Sequence, residues 1–408
     1  MSQSSTASQP ASDPGIEPET EPSVLTGVWS DLVGQEGPVS ILRRAVAVGS
    51  GLGASHAMTH AWLVTGPPGS GRSNAARAFA AALQCPDGGC GHCQQCRTAL
   101  SGAHPDVTLV RTEQLSIGVD EVRELVRRAA MSPTLGRRQV LVVEDADRVT
   151  ERGADALLKS VEEPASKTVW ILCAPTAEDV VVTIRSRCRT LQLHTPTVAA
   201  VAGLLERRDG IDPQLADQAA RASQGHIGRA RALARNPEAR ERRMAVLQIP
   251  DRLTGLGGCL ESAAELLASC TAEAGATTAD LDAKERAELE EALGFGTKGA
   301  KPKQAAAAIR DLTDQQKARS KRLQRDAIDR ALTELTAFYR DVLSVQTGSG
   351  APLVNAELSE RIDAHARRSA PESTLRRIDA LLACREALET NVAPLLALEA
   401  MMVGLVDG

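Results

Sequence analysis

Four stretches of this chain carry residue types that do chemistry. Cys85-x4-Cys90-x2-Cys93-x2-Cys96 gathers four thiols within 12 residues, with Gly88, Gly89 and Gly91 between them. Four thiolates satisfy a tetrahedral zinc at Zn–S ~2.3 Å and leave no position for substrate, so the spacing predicts a structural metal site. His92 is a spare ligand and is expected on the surface. Cys173, Cys188, Cys259, Cys270 and Cys384 are scattered through apolar or helical context and read as small core residues.

The second stretch is Gly66-Pro67-Pro68-Gly69-Ser70-Gly71-Arg72-Ser73. An apolar run, Trp62–Thr65, precedes it and an Ala-rich helical segment, Asn74–Leu83, follows. That context lets backbone N–H groups wrap phosphate oxygens at a helix N-terminus, as in a P-loop. A Gly/Pro turn without a ligand is the plainer alternative. Lys normally stands where Arg72 does. A compact ammonium bridges the β- and γ-phosphates, whereas the guanidinium is planar and wider, so the loop is expected to keep phosphate affinity better than catalysis.

The third stretch, Val140-Leu141-Val142-Val143-Glu144-Asp145, ends an apolar run in two carboxylates. In ATP-hydrolysing sites the order is Asp then Glu, one supporting Mg²⁺ and the other polarising water; reversal displaces both by about a methylene. Together with Arg72 this predicts an inactive or very weak ATPase. The fourth stretch is Ser186-Arg187-Cys188. An Arg in the loop after a strand can project from its own subunit and stabilise charge on a neighbour's γ-phosphate, worth about 10³–10⁵ in rate for arginine fingers. Pairing of Arg187 with a local carboxylate is the alternative.

These residues need a scaffold. Trp62–Thr65, Val107–Val110, Gln139–Val143, Val169–Cys173 and Thr190–Leu193 read as strands separated by helical stretches, which implies a parallel α/β sheet. Between the third and fourth strands, Ala154, Leu157, Leu158 and Val161 recur at helical spacing before Pro164. After Pro196 strand signals vanish, and Ala/Leu/Arg-rich helical segments run to residue 240, then from about Arg252 to Cys270 and from Asp326 to Leu405. The expected organisation is a tail at 1–24, a core at 25–195, a helical lid at 196–245 and a helical domain at 246–408 carrying a charged, partly flexible insertion at about 271–325.

The chain has 408 residues with 47 Lys+Arg, 52 Asp+Glu and a formal charge of −5, enough for two or three cores and too acidic for a general nucleic-acid coat. Aromatics are only 2%, so helical packing should dominate. No apolar run reaches the ~18–20 residues of a membrane span, and the first 24 residues lack the pattern of a signal peptide. A soluble, cytoplasmic protein with no membrane partner is expected. Residues 1–24 are rich in Ser, Pro and Glu and are expected to be disordered. Lys298 to Arg330 holds ten Lys/Arg against four Asp, with 294–303 as a flexible joint. A solvated basic helix fits, as does contact with DNA phosphates, although the aromatics of a base-stacking surface are missing.

The P-loop, the cysteine knuckle after its helix, Ala156-Leu157-Leu158-Lys159-Ser160-Val161-Glu162-Glu163-Pro164 and Ser186-Arg187-Cys188 together resemble, in order, the bacterial DNA polymerase III clamp-loader AAA+ family. The resemblance runs from about Val28 to Arg235. Ile117-Gly118-Val119-Asp120-Glu121-Val122-Arg123-Glu124-Leu125 and the altered Arg72 and Glu144-Asp145 look like its delta-prime branch. It implies an AAA+ α/β core, a small helical lid and an all-α C-terminal collar. It further implies gamma/tau and delta partners in a hetero-pentameric ring, and work on a sliding clamp and primed DNA at the replisome. Trp29-Ser30-Asp31-Leu32-Val33-Gly34-Gln35 resembles the family's adenine-side segment, and Gly225-His226-Ile227-Gly228-Arg229 its sensor-2 helix, which adds Arg229 to the nucleotide-facing residues Gly66–Ser73, Glu144 and Asp145. Polymerisation itself would belong to the holoenzyme. An autonomous gamma-type motor and a zinc-dependent nucleic-acid binding module are the competing readings.

Overall fold

The computed structural model describes residues 25–49, 57–112, 116–293, 303–390 and 392–408. The expected tail at 1–24 and the joint at 294–303, apart from Lys303 itself, lie outside them. Five strands, β1 (Ala61–Thr65), β2 (Val107–Val110), β3 (Gln139–Val143), β4 (Thr168–Ala174) and β5 (Arg189–Gln192), match the five apolar runs within a residue or two. They form one sheet in the order β2-β3-β4-β1-β5, and every pairing is parallel. Strands β1, β3 and β4 are buried along their whole length, which is why they read as unbroken apolar runs.

Helices cover both faces of the sheet. On one side α1 (Glu36–Gly49) and α2 (Arg72–Gln84) pack with Trp29, Trp62 and Phe79; α3 (Gln94–Ser101) lies against the end of α2. On the other side α4 (Val119–Ala129), α5 (Glu151–Glu162) and α6 (Val182–Arg185) pack with Trp170 and Ile117. Thr150 caps α5, its hydroxyl accepting the Gly153 N–H at 3.2 Å, and the helix stops before Pro164 because proline cannot continue the hydrogen-bond ladder.

Beyond β5 the described residues hold no further strand. Helices α7 (Val198–Asp209), α8 (Pro213–Ser223) and α9 (Ile227–Arg235) share a small core built largely of alanine and leucine. They lead through α10 (Pro237–Leu247) and α11 (Ile249–Arg252) into a second, larger core formed by α12 (Gly255–Ala292), α13 (Lys303–Thr347), α14 (Ser359–Arg368), α15 (Pro371–Glu389) and α16 (Pro394–Asp407).

The charged stretch at 271–325 supplies the far arms of α12 and α13, continuous in helix with the near arms. Across those arms Arg319 binds Asp282 at 2.6 Å and Glu285 at 2.5 Å, and the Gln316 side chain donates to the Asp282 carbonyl at 3.0 Å. Arg319 is 7% exposed, so these are partly desolvated, multiply hydrogen-bonded ion pairs, stronger than surface ones. No helix among the described residues is long and apolar enough to cross a membrane.

Candidate functional site

Because all five strands run the same way, the loops after β1, β3 and β4 emerge along one edge, the usual place for a ligand crevice in such sheets. The loop Gly66–Ser73 leaves β1 there. Gly66 donates to the Pro175 carbonyl after β4 at 3.0 Å, and Gly69 holds φ +86° with His226 pressed on it: a Cβ at Gly69 would lie 2.4 Å from the His226 Cα. Only glycine fits that approach. Gln35 clips the other side, donating to His194 O at 2.7 Å and Ser70 O at 3.4 Å. The Trp29–Gln35 segment thus reaches the loop through Gln35.

Inside this cradle the chain's own arginines bind the loop and the acidic pair. Arg72 folds back so that its Nη1 donates to the Gly66 carbonyl. Glu144, 8% exposed, is gripped by Arg77, with Nη2 2.7 Å and Nε 2.8 Å from the same carboxylate oxygen. Asp145 receives Arg322 from α13 at 3.4 Å. The Ser70 hydroxyl is buried and has no hydrogen-bond partner among the described residues. Both carboxylates expected to serve magnesium and water are therefore already neutralised by guanidinium groups.

Arg229 sits at the start of α9, where the helix meets the loop, yet its guanidinium turns to Glu334 of α13. Arg243 of α10 binds the other oxygen of Glu334 at 3.2 Å and Glu357 at 2.6 Å. The structure thus brings the loop and the acidic pair to one edge, while Arg229 gives its guanidinium to Glu334 and lines one cavity with Pro68, His226 and Glu334. His226 caps α9, Nδ1 accepting the Arg229 N–H at 3.2 Å. Burial first, then the Arg229 charge, push its pKa down, so the ring is neutral near pH 7 and suited to accept.

Arg187 follows α6 on the far side of the core. It is 39% exposed and pairs with Glu162, the last residue of α5; its Nη1 also donates to Thr183 O at 2.7 Å and to Ser186 Oγ at 3.2 Å. Arg185 pairs with Glu178 at 3.5 Å, and Arg189 donates to Ala57 O at 2.9 Å. The local carboxylate partner weighed from sequence is present, and it belongs to the Leu-Leu-Lys-x-x-Glu-Glu-Pro stretch.

The four cysteines converge where α2 ends. Their sulfurs lie within 4.8 Å of one another, with Cys85–Cys90 at 3.7 Å and Cys93–Cys85 at 3.8 Å. A regular tetrahedron of M–S bonds ~2.3 Å long has edges of about 3.8 Å, so the spacing fits a metal of zinc's size. The N–H groups of Cys90, Cys93 and Cys96 point at the sulfurs of Cys85, Cys90 and Cys93, each at 3.4 Å. Burial alone would raise the Cys85 thiol; backbone donors from Cys90, Gly89 and Asp87 outweigh it and bring the pKa down to about 7. His92 is exposed and stays out of the cluster. The knuckle is also structural mortar: Val28 N donates to Gly89 O at 3.0 Å, and Cys85 and Cys96 are fully buried in the core.

Arg77, Arg322 and Glu334 were not among the residues read from sequence. Arg77 lies one turn into the helix after the loop and could have been suspected; Arg322 and Glu334 have no local signal.

Comparison with known proteins agrees with this architecture. A family model described as DNA polymerase III, delta subunit, matches residues 50–197, and a second, DNA polymerase III, delta subunit, C terminal, matches residues 304–406. The DNA polymerase III subunit delta' of Bacillus subtilis is 26% identical over 354 residues, 86% of this chain and 92% of that protein. The corresponding subunit of Pseudomonas aeruginosa is 37% identical over 164 residues, 39% of this chain and only about half (49%) of that relative. The gamma/tau subunit of Mycobacterium tuberculosis is 36% identical over 164 residues, 39% of this chain and 27% of that protein. Over 164 residues the chain is thus about equally similar to both kinds of subunit, whereas the family match at 304–406 is to the delta type. The two matched segments together cover more than half of the chain, and with the relatives they place it in the bacterial DNA polymerase III clamp-loader subunit family, with its resemblance to the delta-prime members.

Proposed function

We propose that the chain serves as a delta-prime-type subunit of a clamp loader, joining gamma/tau and delta subunits in a hetero-pentameric ring that places a sliding clamp on primed DNA. Its own loop turns over little or no ATP; its contribution to the reaction is Arg187, offered to the γ-phosphate in a neighbour's site. The observation that carries this reading is the asymmetry between the two edges of the core. Arg72, Arg77 and Arg322 neutralise the chain's own cradle, while Arg187 stands half exposed at the opposite end of the α5–α6 region. A guanidinium there can stabilise charge developing in phosphoryl transfer without any hydrolysis by this subunit.

Cys85, Cys90, Cys93 and Cys96 hold a structural zinc in this reading. With all four positions filled by protein it supplies folding energy to the knuckle and no Lewis-acid chemistry. Magnesium and ATP are not assigned to Gly66–Ser73, Glu144 and Asp145, because Arg72 binds the loop and Arg77 and Arg322 already pair with the two carboxylates.

The test is reconstitution with gamma/tau, delta, clamp and primed DNA. Arg187→Ala should cut DNA-stimulated ATPase and clamp loading at least tenfold while the complex stays assembled on a sizing column, and unchanged rates would refute the finger. Steady-state hydrolysis by the isolated chain separates this reading from an autonomous gamma-type motor: a turnover matching gamma/tau would establish the motor instead.

A further inference from the structure

A cavity of about 990 Å³ opens where α9 meets α13, and Pro68 of the phosphate loop shares its wall with His226, Arg229 and Glu334. We propose that the Arg229–Glu334 pair is an autoinhibitory contact: Glu334 holds the guanidinium that a magnesium-free phosphate anion would otherwise draw onto the loop Gly66–Ser73. The proposal rests on the reading that this loop is idle in the chain, and it identifies the side chain that keeps it so.

The loop offers a seat for an anion. It opens the 13-residue helix α2, whose first N–H groups have no partner within the helix. Ser70 is 2% exposed, and its hydroxyl has no hydrogen-bond partner among the described residues; it lies inside the loop, 2.7 Å from where a Cβ on Gly66 would stand. A buried donor without an acceptor is unfavourable, and a phosphate oxygen is an acceptor of the right kind. With Glu144 and Asp145 each paired to an arginine, the surroundings favour a bare anion over a metal chelate.

Arg229 stands beside that seat and can leave Glu334 without stranding it. His226 presses on Gly69, and Arg229 follows three residues along α9, its N–H donating to His226 Nδ1 at 3.2 Å. The backbone is thus anchored next to the loop, and only the side chain has to turn. Each Glu334 oxygen takes one guanidinium, Oε1 that of Arg229 and Oε2 the Arg243 Nε at 3.2 Å. When Arg229 leaves, Glu334 keeps Arg243, which also binds Glu357 at 2.6 Å. No unpaired carboxylate is left buried, and the departing guanidinium exchanges one oxyanion for another. Apparent affinity of the loop is lowered by the fraction of chains in which Glu334 retains Arg229.

The experiment is calorimetric titration of inorganic pyrophosphate into the full chain in magnesium-free buffer. Glu334→Gln should bind at least about tenfold more tightly than wild type. Adding Arg229→Gln or Ser70→Ala to Glu334→Gln should remove most of that gain; Ser70→Ala deletes an unpartnered hydroxyl and so leaves the fold intact. A merely structural ion pair gives no gain in any of these variants. Wild-type affinity in Glu334→Gln, with the wild-type chain idle toward ATP, overturns the autoinhibition and leaves the idle loop standing; so does a gain that survives either second substitution undiminished. Micromolar binding and turnover of ATP by the wild-type chain overturns the idle loop itself. Should Glu334→Gln fail to fold, Glu334→Asp, a methylene short of bridging both arginines, takes its place: tighter binding that needs Arg229 supports the contact, and unchanged binding refutes it.

Discussion

Arg322 of the long helix α13 places its Nη2 3.4 Å from the Asp145 carboxylate, 177 residues earlier in the chain, at the edge where β3 ends. The two side chains are 12% and 21% exposed, so the contact is largely shielded from water. A C-terminal helix thereby supplies the positive charge that a metal would bring to this carboxylate, and with Arg77 on Glu144 it leaves neither carboxylate as a free ligand.

Weak or absent nucleotide binding follows from that contact. A fluorescent ATP analogue titrated onto the isolated chain should show no Mg²⁺-dependent binding in the micromolar range, and omitting Mg²⁺ should change nothing. Arg322→Ala should cost about 1 kcal/mol, between a surface pair and a buried one. Micromolar, magnesium-dependent affinity of the wild-type chain would contradict the arrangement of Arg72, Arg77 and Arg322 described above.

Asp106, just before β2, sets an acid limit on stability. It is 2% exposed and accepts the Thr134 N–H and hydroxyl at 2.6 Å each, the Leu135 N–H at 2.8 Å and the Gly136 N–H at 2.5 Å. Burial opposes its charge, but these donors prevail and lower the pKa to about 2. The folded value lies below the unfolded ~3.9, so the stabilisation is complete above about pH 5 and is lost as pH falls through 4 toward 2. The difference corresponds to about 2 kcal/mol. Asp106→Asn should lose that much at pH 7 and show a flatter stability profile between pH 5 and 2 in urea melts. Equal acid dependence in both proteins would show that other carboxylates govern the effect.

The strands were legible because β1, β3 and β4 are buried on both faces and so appear as unbroken apolar runs bounded by Gly and Pro. The phosphate loop and the knuckle were legible because their residue types and spacings are set by backbone geometry over a dozen residues or fewer. What sequence could not supply is the choice of ion-pair partner. Nothing near Arg229 marks Glu334 as its mate, 105 residues on, and nothing near Asp145 marks Arg322. The arms at 271–325 gave a weak helical signal for a related reason: Arg319, Asp282 and Glu285 stitch them together by charge, without the apolar stripe that announces a packed helix.

Metal removal tests the knuckle. The purified chain should contain one zinc, and Cys85→Ser or Cys96→Ser should remove it, since those two thiols are the fully buried members of the set. Because Val28 docks on Gly89 and both buried thiols lie in the core, loss of zinc should lower Tm by several degrees and expose the segment at 27–32 to protease. Metal content below 0.1 per chain with Tm unchanged by chelator would exclude a structural metal.

The strongest stability effect is expected at Glu334. It is 6% exposed and lies between Arg229, 11% exposed, and Arg243, 9% exposed, joining α9 and α10 to α13. Glu334→Ala leaves two buried guanidinium groups facing each other without their shared counter-charge. Arg243 retains Glu357 and the Asn355 side-chain oxygen, while Asn355 Nδ2 donates to Asp341; Arg229 has no second carboxylate in its ion pairs. Breaking one member of a buried charge cluster costs about 3–5 kcal/mol, whereas replacing the whole cluster with well-packed apolar groups is often neutral. Glu334→Ala should therefore destabilise by about 3 kcal/mol, and adding Arg229→Met should recover part of that loss, because the orphaned charge is removed with it. Strictly additive losses in the double variant would mean that Arg229 and Glu334 contribute independently, and the ion pair would then not be what couples α9 to α13.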